Sequence, residues 1–120
     1  MCSQFQNELD SECLAKSYGV TNEINFSLNQ SIRPTNAAST IVNNSALKLM
    51  KWGITSYKGN HLIINARAES LRSKTTYTDI LDNRCIIPAN YYFEWKKNGK
   101  RRTKNIVREI NRDYFCFAGI

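Results

Sequence analysis

A mainly β domain of the α+β class, with a few short helices, is the fold that the sequence predicts. Three observations carry this. Short apolar or β-branched runs bounded by Gly, Asn or Ser recur from residue 40 onward, residues 7–18 have helical periodicity, and Asn98-Gly99 separates two strand-like segments as a hairpin signal. With 120 residues, 42% hydrophobic and 11% aromatic, the chain can build its own core, so one domain is read over residues 1–120.

In residues 7–18 (NELDSECLAKSY), Leu9, Cys13 or Leu14, and Tyr18 fall on one helical face, and Gly19 is placed to stop the helix. Residues 20–40 are rich in Asn, Ser and Thr and contain Pro34, which predicts a long irregular connection of the kind that often serves a site. Strands are expected at 40–43, 47–54 and 61–68, and a second short helix at 77–83. The aromatic run 84–95 (RCIIPANYYFEW) leads through the hairpin into a strand at 104–110, and a turn at 111–113 precedes a last strand at 114–120.

No run of eighteen apolar residues is present, nor a basic segment followed by an apolar one at the start. A cytoplasmic, nucleoid-associated protein that makes no use of a membrane is therefore expected. Cys2, Cys13, Cys85 and Cys116 include no Cys-x-x-Cys pair, so reduced thiols are expected, with no metal site and no cofactor. The balance of 17 Lys and Arg against 10 Asp and Glu gives a net charge of +7, which favours an anionic partner and, for a small basic domain, nucleic acid.

The second residue carries the most chemistry. Initiator Met is normally removed before a small side chain, and removal would leave Cys2 with an α-amine beside its thiol. Such an amine, with an ordinary pKa of about 7.7–8.0, is partly neutral at cellular pH and can attack an aldehyde. The adjacent thiol can then close a five-membered thiazolidine ring. In Leu62-Ile63-Ile64-Asn65-Ala66-Arg67-Ala68-Glu69, a polar Asn65 ends an apolar run, where a fold presents a side chain to a cleft. In Tyr91-Tyr92-Phe93-Glu94-Trp95, a lone carboxyl sits among aromatics, surroundings suited to proton transfer, although the same alternation also fits a strand whose Glu94 faces water. Lys96, Lys97, Lys100, Arg101, Arg102 and Lys104 place six of the 17 positive side chains around the hairpin, where they can track phosphates or simply be solvated. Trp52 and Tyr57 are candidates for stacking on unpaired bases, with the core as their other use. His61 has no carboxylate or thiol close in sequence and reads as a surface residue.

Met1-Cys2 followed by Phe5, Lys51-Trp52-Gly53-Ile54, Ile64-Asn65-Ala66-Arg67-Ala68-Glu69, Arg84-Cys85-Ile86-Ile87-Pro88-Ala89, Phe93-Glu94-Trp95 and Phe117-Ala118-Gly119 match one family in order and spacing. By these motifs the chain resembles the SOS response-associated peptidases, the abasic-site processing proteins, over about the first half of their usual domain. The resemblance implies a mixed β-sheet or barrel with short helices around a basic cleft for single-stranded DNA carrying an abasic site. It makes Cys2 the residue that forms the thiazolidine cross-link, Asn65 the group that orients the sugar, and Glu94 the proton-transfer residue. Arg67 is implied to hold a phosphate, with Tyr57, Lys96, Lys97, Lys100, Arg101 and Arg102 as further DNA contacts. The family label adds a hydrolase or protease activity, as self-cleavage after Met1 or release of the adduct, and a lyase step.

The chain also departs from the family. Ser3 and Gln4 replace a Gly and a phosphate-binding Arg, Asn36-Ala37-Ala38-Ser39-Thr40 replaces Asn-x-x-Pro-Thr, and Tyr57 stands where Trp is common. His61 does not match the family's downstream catalytic His before Arg-Met-Pro, so reversal of the cross-link and strand cleavage are expected to be impaired. The alternative to a cross-linking enzyme is a catalytically inactive truncated remnant that only binds DNA, or that is completed by a separate C-terminal half or completes another subunit. Covalent capture needs the free Cys2 amine, whereas phosphate contacts do not.

Overall fold

The computed structural model describes residues 2–22, 30–56 and 59–120. In chain order these form β1 (Phe5–Asn7), α1 (Ser11–Tyr18), β2 (Gln30–Ile32), β3 (Ala37–Val42), a 3-10 turn (Asn43–Ser45), β4 (Ala46–Lys51), β5 (Ile54–Thr55), β6 (Leu62–Ile63), α2 (Ala68–Leu71), α3 (Thr75–Thr78), β7 (Cys85–Ala89), β8 (Tyr91–Asn98), β9 (Arg101–Val107) and β10 (Phe115–Gly119). Sheet A has the order β2-β1-β8-β9, sheet B the order β10-β7-β3-β4, and β5 and β6 form a two-stranded ribbon. The fold is mainly β with short helices, as the sequence predicts. Every described pairing is antiparallel, and the sheets stay open instead of closing into a barrel.

The aromatic run 84–95 is divided between the two sheets at Asn90. The backbone N–H of Asn90 donates to Gln6 O (2.9 Å), its Nδ2 donates to Asp113 O (3.0 Å), and its Oδ1 accepts from Glu8 N (2.7 Å). Its side chain thus pairs the backbone of two neighbouring segments, Glu8 N–H and Asp113 C=O, at the point where the chain changes sheets. Between the sheets, Phe5 and Tyr92 from sheet A meet Phe115 and Phe117 from sheet B. Their ring centroids lie 5.4 Å (Phe5–Phe117), 5.7 Å (Tyr92–Phe117) and 5.9 Å (Tyr92–Phe115) apart, in edge-to-face arrangements. Ile32, Ala38 and Ala89 complete this core, and Cys2 and Trp52 pack against it.

A second core gathers Leu9, Leu14, Val20, Ile41 and Leu47 beneath α1. The helix starts at Ser11, later than its periodicity suggests, because Asn7 still pairs in β1 and Asp10 caps the first turn by accepting from Cys13 N at 2.7 Å. It ends at Gly19, whose φ of +64° is the left-handed conformation of a helix C-terminus.

Other boundaries move for reasons that lie far away in sequence. Part of the expected 20–40 connection is strand: β2 pairs with β1, and β3 starts at Ala37 and pairs with β4 along its whole length. Buried Ser39 and Thr40 make that segment look polar although it lies in a sheet. The strand expected at 47–54 breaks at Gly53, where φ is +103° and any Cβ would come within 3.0 Å of the Leu62 side chain. Strand pairing in 61–68 is confined to Leu62–Ile63, and the helical turn expected at 77–83 sits earlier, at Thr75–Thr78, with further turns closing to Asn83. At the hairpin, Asn98 pairs with Arg101, so the two-residue turn is Gly99-Lys100 and β9 begins at Arg101, three residues before the expected 104. Gly99 alone takes a positive φ (+60°), as a type II′ turn requires at its first position.

Leu14 is fully buried in the second core. Leu14→Ala is expected to lower unfolding free energy by about 2–5 kcal/mol, the usual cost of such a cavity, measured by chemical denaturation. A loss below about 1 kcal/mol would show that the helix is not held by this contact.

Candidate functional site

The ribbon of β5 and β6 positions the residue that reaches the start of the chain. The Trp52 indole N–H donates to Ile64 O (3.0 Å), and the Trp52 ring lies 5.3 Å from that of Phe5. Gly53 lets the chain turn tightly against Leu62 and Ile64. With residue 64 thus anchored, Asn65 Nδ2 donates to Cys2 O at 2.8 Å, across 63 residues of sequence. The turn before β3 is tied to the same tryptophan: Thr35 N donates to Trp52 O and Trp52 N donates to Asn36 O, both at 2.9 Å. Thr35 holds a φ of +76°, an uncommon conformation for a β-branched residue, which these bonds sustain.

Cys2 is half-buried, and its Sγ lies 3.4 Å from Gln4 O. Burial pushes the thiol above its ordinary pKa. The Glu94 carboxylate acts in the same direction. That influence requires Glu94 to lie near Cys2. The strand register agrees, because β8 alternates: Tyr92 and Glu94 point to the inner face of sheet A, toward the aromatic core, and Phe93 and Trp95 point outward.

Cys2 and Asn65 both line a cavity of about 740 Å³ whose walls include Trp52, Ile64, Ile87 and Phe117. Most of its lining is apolar, and a second thiol, Cys85, also pushed up by burial, faces into it. Such a lining leaves few polar groups to compete with Cys2 and Asn65 for a ligand.

The remaining predicted residues are distributed around this centre. Arg67 is exposed at the start of α2 and lines a separate shallow depression with Glu69, Ser70 and Lys74. Lys96, Lys97, Lys100, Arg101 and Arg102 are exposed on β8, the turn and β9. Register divides them by face: Lys96 and Arg101 share the inner face with Glu94, and Lys97 and Arg102 the outer face with Trp95. Tyr57 and Met1 lie outside the described residues. No group of three His, Cys, Asp or Glu side chains able to hold a metal occurs among the described residues.

Three supporting contacts are not foreseen from the sequence. Lys104 Nζ lies 3.0 Å from Gln4 Oε1 and 3.7 Å from the Phe93 ring centroid, and Gln4 Nε2 in turn donates to Ser31 Oγ at 2.7 Å. Gln4 is buried, and nothing local in the sequence signals the anchor that it gives Lys104.

The family model of the SOS response associated peptidases matches residues 1–120. Among curated proteins, the chain is 31% identical to the abasic site processing protein YoqW of Bacillus subtilis over 99 residues, 74% of this chain and 44% of that protein. It is 32% identical to YobE, another abasic site processing protein of the same organism, over 99 residues covering 45% of that protein. The chain therefore spans less than half the length of these relatives. A crystal structure of a Bacteroides thetaiotaomicron protein superposes with a TM-score of 0.79 at 18% identity, covering 98% of this chain and 58% of that one. A phage-related protein from Bordetella bronchiseptica superposes with a TM-score of 0.77, also at 18% identity, over 98% of this chain and 59% of that one. These two likenesses show a shared fold.

Because the Glu94 carboxylate helps to hold the Cys2 thiol protonated, removing its charge should release more thiolate at a given pH. Glu94→Gln is expected to speed alkylation of Cys2 by iodoacetamide near neutral pH and move its pH profile to lower pH, followed by mass spectrometry of the Cys2 peptide. An unchanged profile would mean that the two groups do not interact.

Proposed function

Because the chain belongs to the SOS response associated peptidase family, we propose that it processes abasic sites in single-stranded DNA through a covalent link to Cys2. The observation that carries this reading is the 2.8 Å hydrogen bond from Asn65 to the Cys2 carbonyl. It grips the one polar group of Cys2 that thiazolidine chemistry does not consume, so the amine and the thiol remain available once Met1 is removed. The names of the curated relatives support the substrate, and the charge of +7 supports the anionic partner.

The reaction needs only these groups and the lesion. The neutral Cys2 amine attacks the C1′ aldehyde of the ring-opened sugar, and the carbinolamine loses water to give an imine. Sγ then adds to the imine carbon while the thiol proton passes to nitrogen, closing the ring with net release of one water. Glu94 shuttles protons, giving one to the departing hydroxyl and taking one from the amine. Asn65 sets the position of Cys2 and orients the sugar beside it. Arg67, Lys96, Lys100 and Arg101 hold phosphates on either side of the lesion, Lys97 and Arg102 hold the strand beyond them, and Tyr57 lies against a base.

With single-stranded DNA carrying one abasic site, a denaturation-resistant adduct is expected on a gel, and Cys2→Ala is expected to abolish it. Asn65→Ala and Glu94→Gln should slow its formation, Glu94→Gln by about 10²- to 10⁴-fold, the usual contribution of a positioned proton-transfer group. Glu94→Gln thus acts oppositely on alkylation and on capture, which separates its effect on the thiol from its role in proton transfer. An adduct that forms equally well in Cys2→Ala would overturn the proposal.

A further inference from the structure

The hairpin of β8 and β9 has a second face that the chemistry at Cys2 does not use. On the outer side of sheet A, Tyr91, Phe93 and Trp95 alternate along β8, and Lys97 follows them. Trp95 lies opposite Lys104, Phe93 opposite Ile106, and Lys97 opposite Arg102. Trp95 is 39% exposed and Ile106 61%, two large apolar side chains open to solvent on one face of the hairpin. Three cations, Lys97, Arg102 and Lys104, edge this surface. The Glu8 carboxylate lies near Tyr91, at the end away from the hairpin turn.

We propose that this outer face is a second contact surface for single-stranded DNA, on which a base stacks against Trp95 and Lys97, Arg102 and Lys104 hold the flanking phosphates. Lys104 is arranged for such a role. Its ammonium lies 3.7 Å from the Phe93 centroid, 5.4 Å from that of Trp95 and 3.0 Å from Gln4 Oε1, and Gln4 is itself fixed by Ser31. A lysine held from below has lost much of the side-chain freedom that phosphate binding would otherwise cost, and it keeps N–H donors toward solvent. An exposed aromatic beside clustered cations matches the chemistry of an unpaired strand, which offers a stacking face and a phosphate at every nucleotide. The charge argues against an apolar protein partner, and Glu8 confines the contact to the end near the turn.

The geometry also gives the strand a path. Lys96 and Arg101 lie on the inner face with Glu94, Lys100 lies at the turn, and Lys97, Arg102 and Lys104 lie on the outer face. A strand engaged beside Cys2 passes round the hairpin tip and continues along the outside. The proposal rests on the reading of single-stranded DNA as partner, but not on the covalent step.

The test uses oligodeoxythymidine without a lesion, so that no aldehyde is present. Trp95→Leu is expected to weaken binding about tenfold at fixed salt, the order that one stacked base contributes. In the wild-type protein, the oligonucleotide should protect Lys97 and Lys104 from acylation, read by mass spectrometry. If Trp95→Leu does not fold, this protection decides the question alone. Protection confined to Lys96 and Lys100, or unchanged affinity of a folded Trp95→Leu, would overturn the proposal. A Trp95-dependent affinity in a protein that forms no Cys2 adduct would contradict the covalent reading and leave this one standing.

Discussion

The first residues of a domain are poorly ordered unless a contact ties them down. The hydrogen bond from the Asn65 amide to the Cys2 carbonyl is such a contact, and much of the local structure serves it. Asn65 is fixed because Trp52 holds the carbonyl of Ile64, Trp52 is fixed because its ring lies against Phe5, and Phe5 is one of the buried residues that join the sheets. The tight turn at Gly53 and the strained Thr35 follow from bringing the ribbon and the turn before β3 onto the same tryptophan.

The period of the β-strand gives one hairpin two different faces. Glu94 lies on the inner face of sheet A, while its neighbours Phe93 and Trp95 point outward and, with Lys104 and Gln4, build an aromatic and cationic surface. A register slip of one residue would exchange these faces, so the pairing of β8 with β9 sets both the side on which Glu94 lies and the charge pattern. The two-residue turn at Gly99-Lys100 fixes that register.

Features set by neighbouring residues were legible in the sequence. The periodicity of residues 7–18 and Gly19 locate α1, and the Asn-Gly step locates the hairpin to within a residue. Cys2, Asn65 and Glu94 stand out as residue types misplaced for their surroundings, and the structure brings Cys2 and Asn65 into contact with Glu94 close by. Features set at long range were not legible. β2 and most of β3 hide in a polar-looking segment because their partners β1 and β4 supply the pairing. The contact of Lys104 with Gln4 spans 100 residues and leaves no local trace. Arg67 shows the limit of reading by proximity in sequence: two residues after Asn65, it opens onto a different depression.

The central claim is that Cys2 reacts through both of its nucleophiles. It is tested most directly by digesting the adduct formed with abasic single-stranded DNA and analysing the N-terminal peptide by mass spectrometry, after treatment with borohydride and with a thiol-alkylating reagent. The account predicts a sugar remnant on Cys2, no gain of hydrogen from borohydride, and no alkylation, because amine and thiol share one closed ring. A reduced adduct on a lysine of the hairpin, or an adducted Cys2 whose thiol still alkylates, would contradict it.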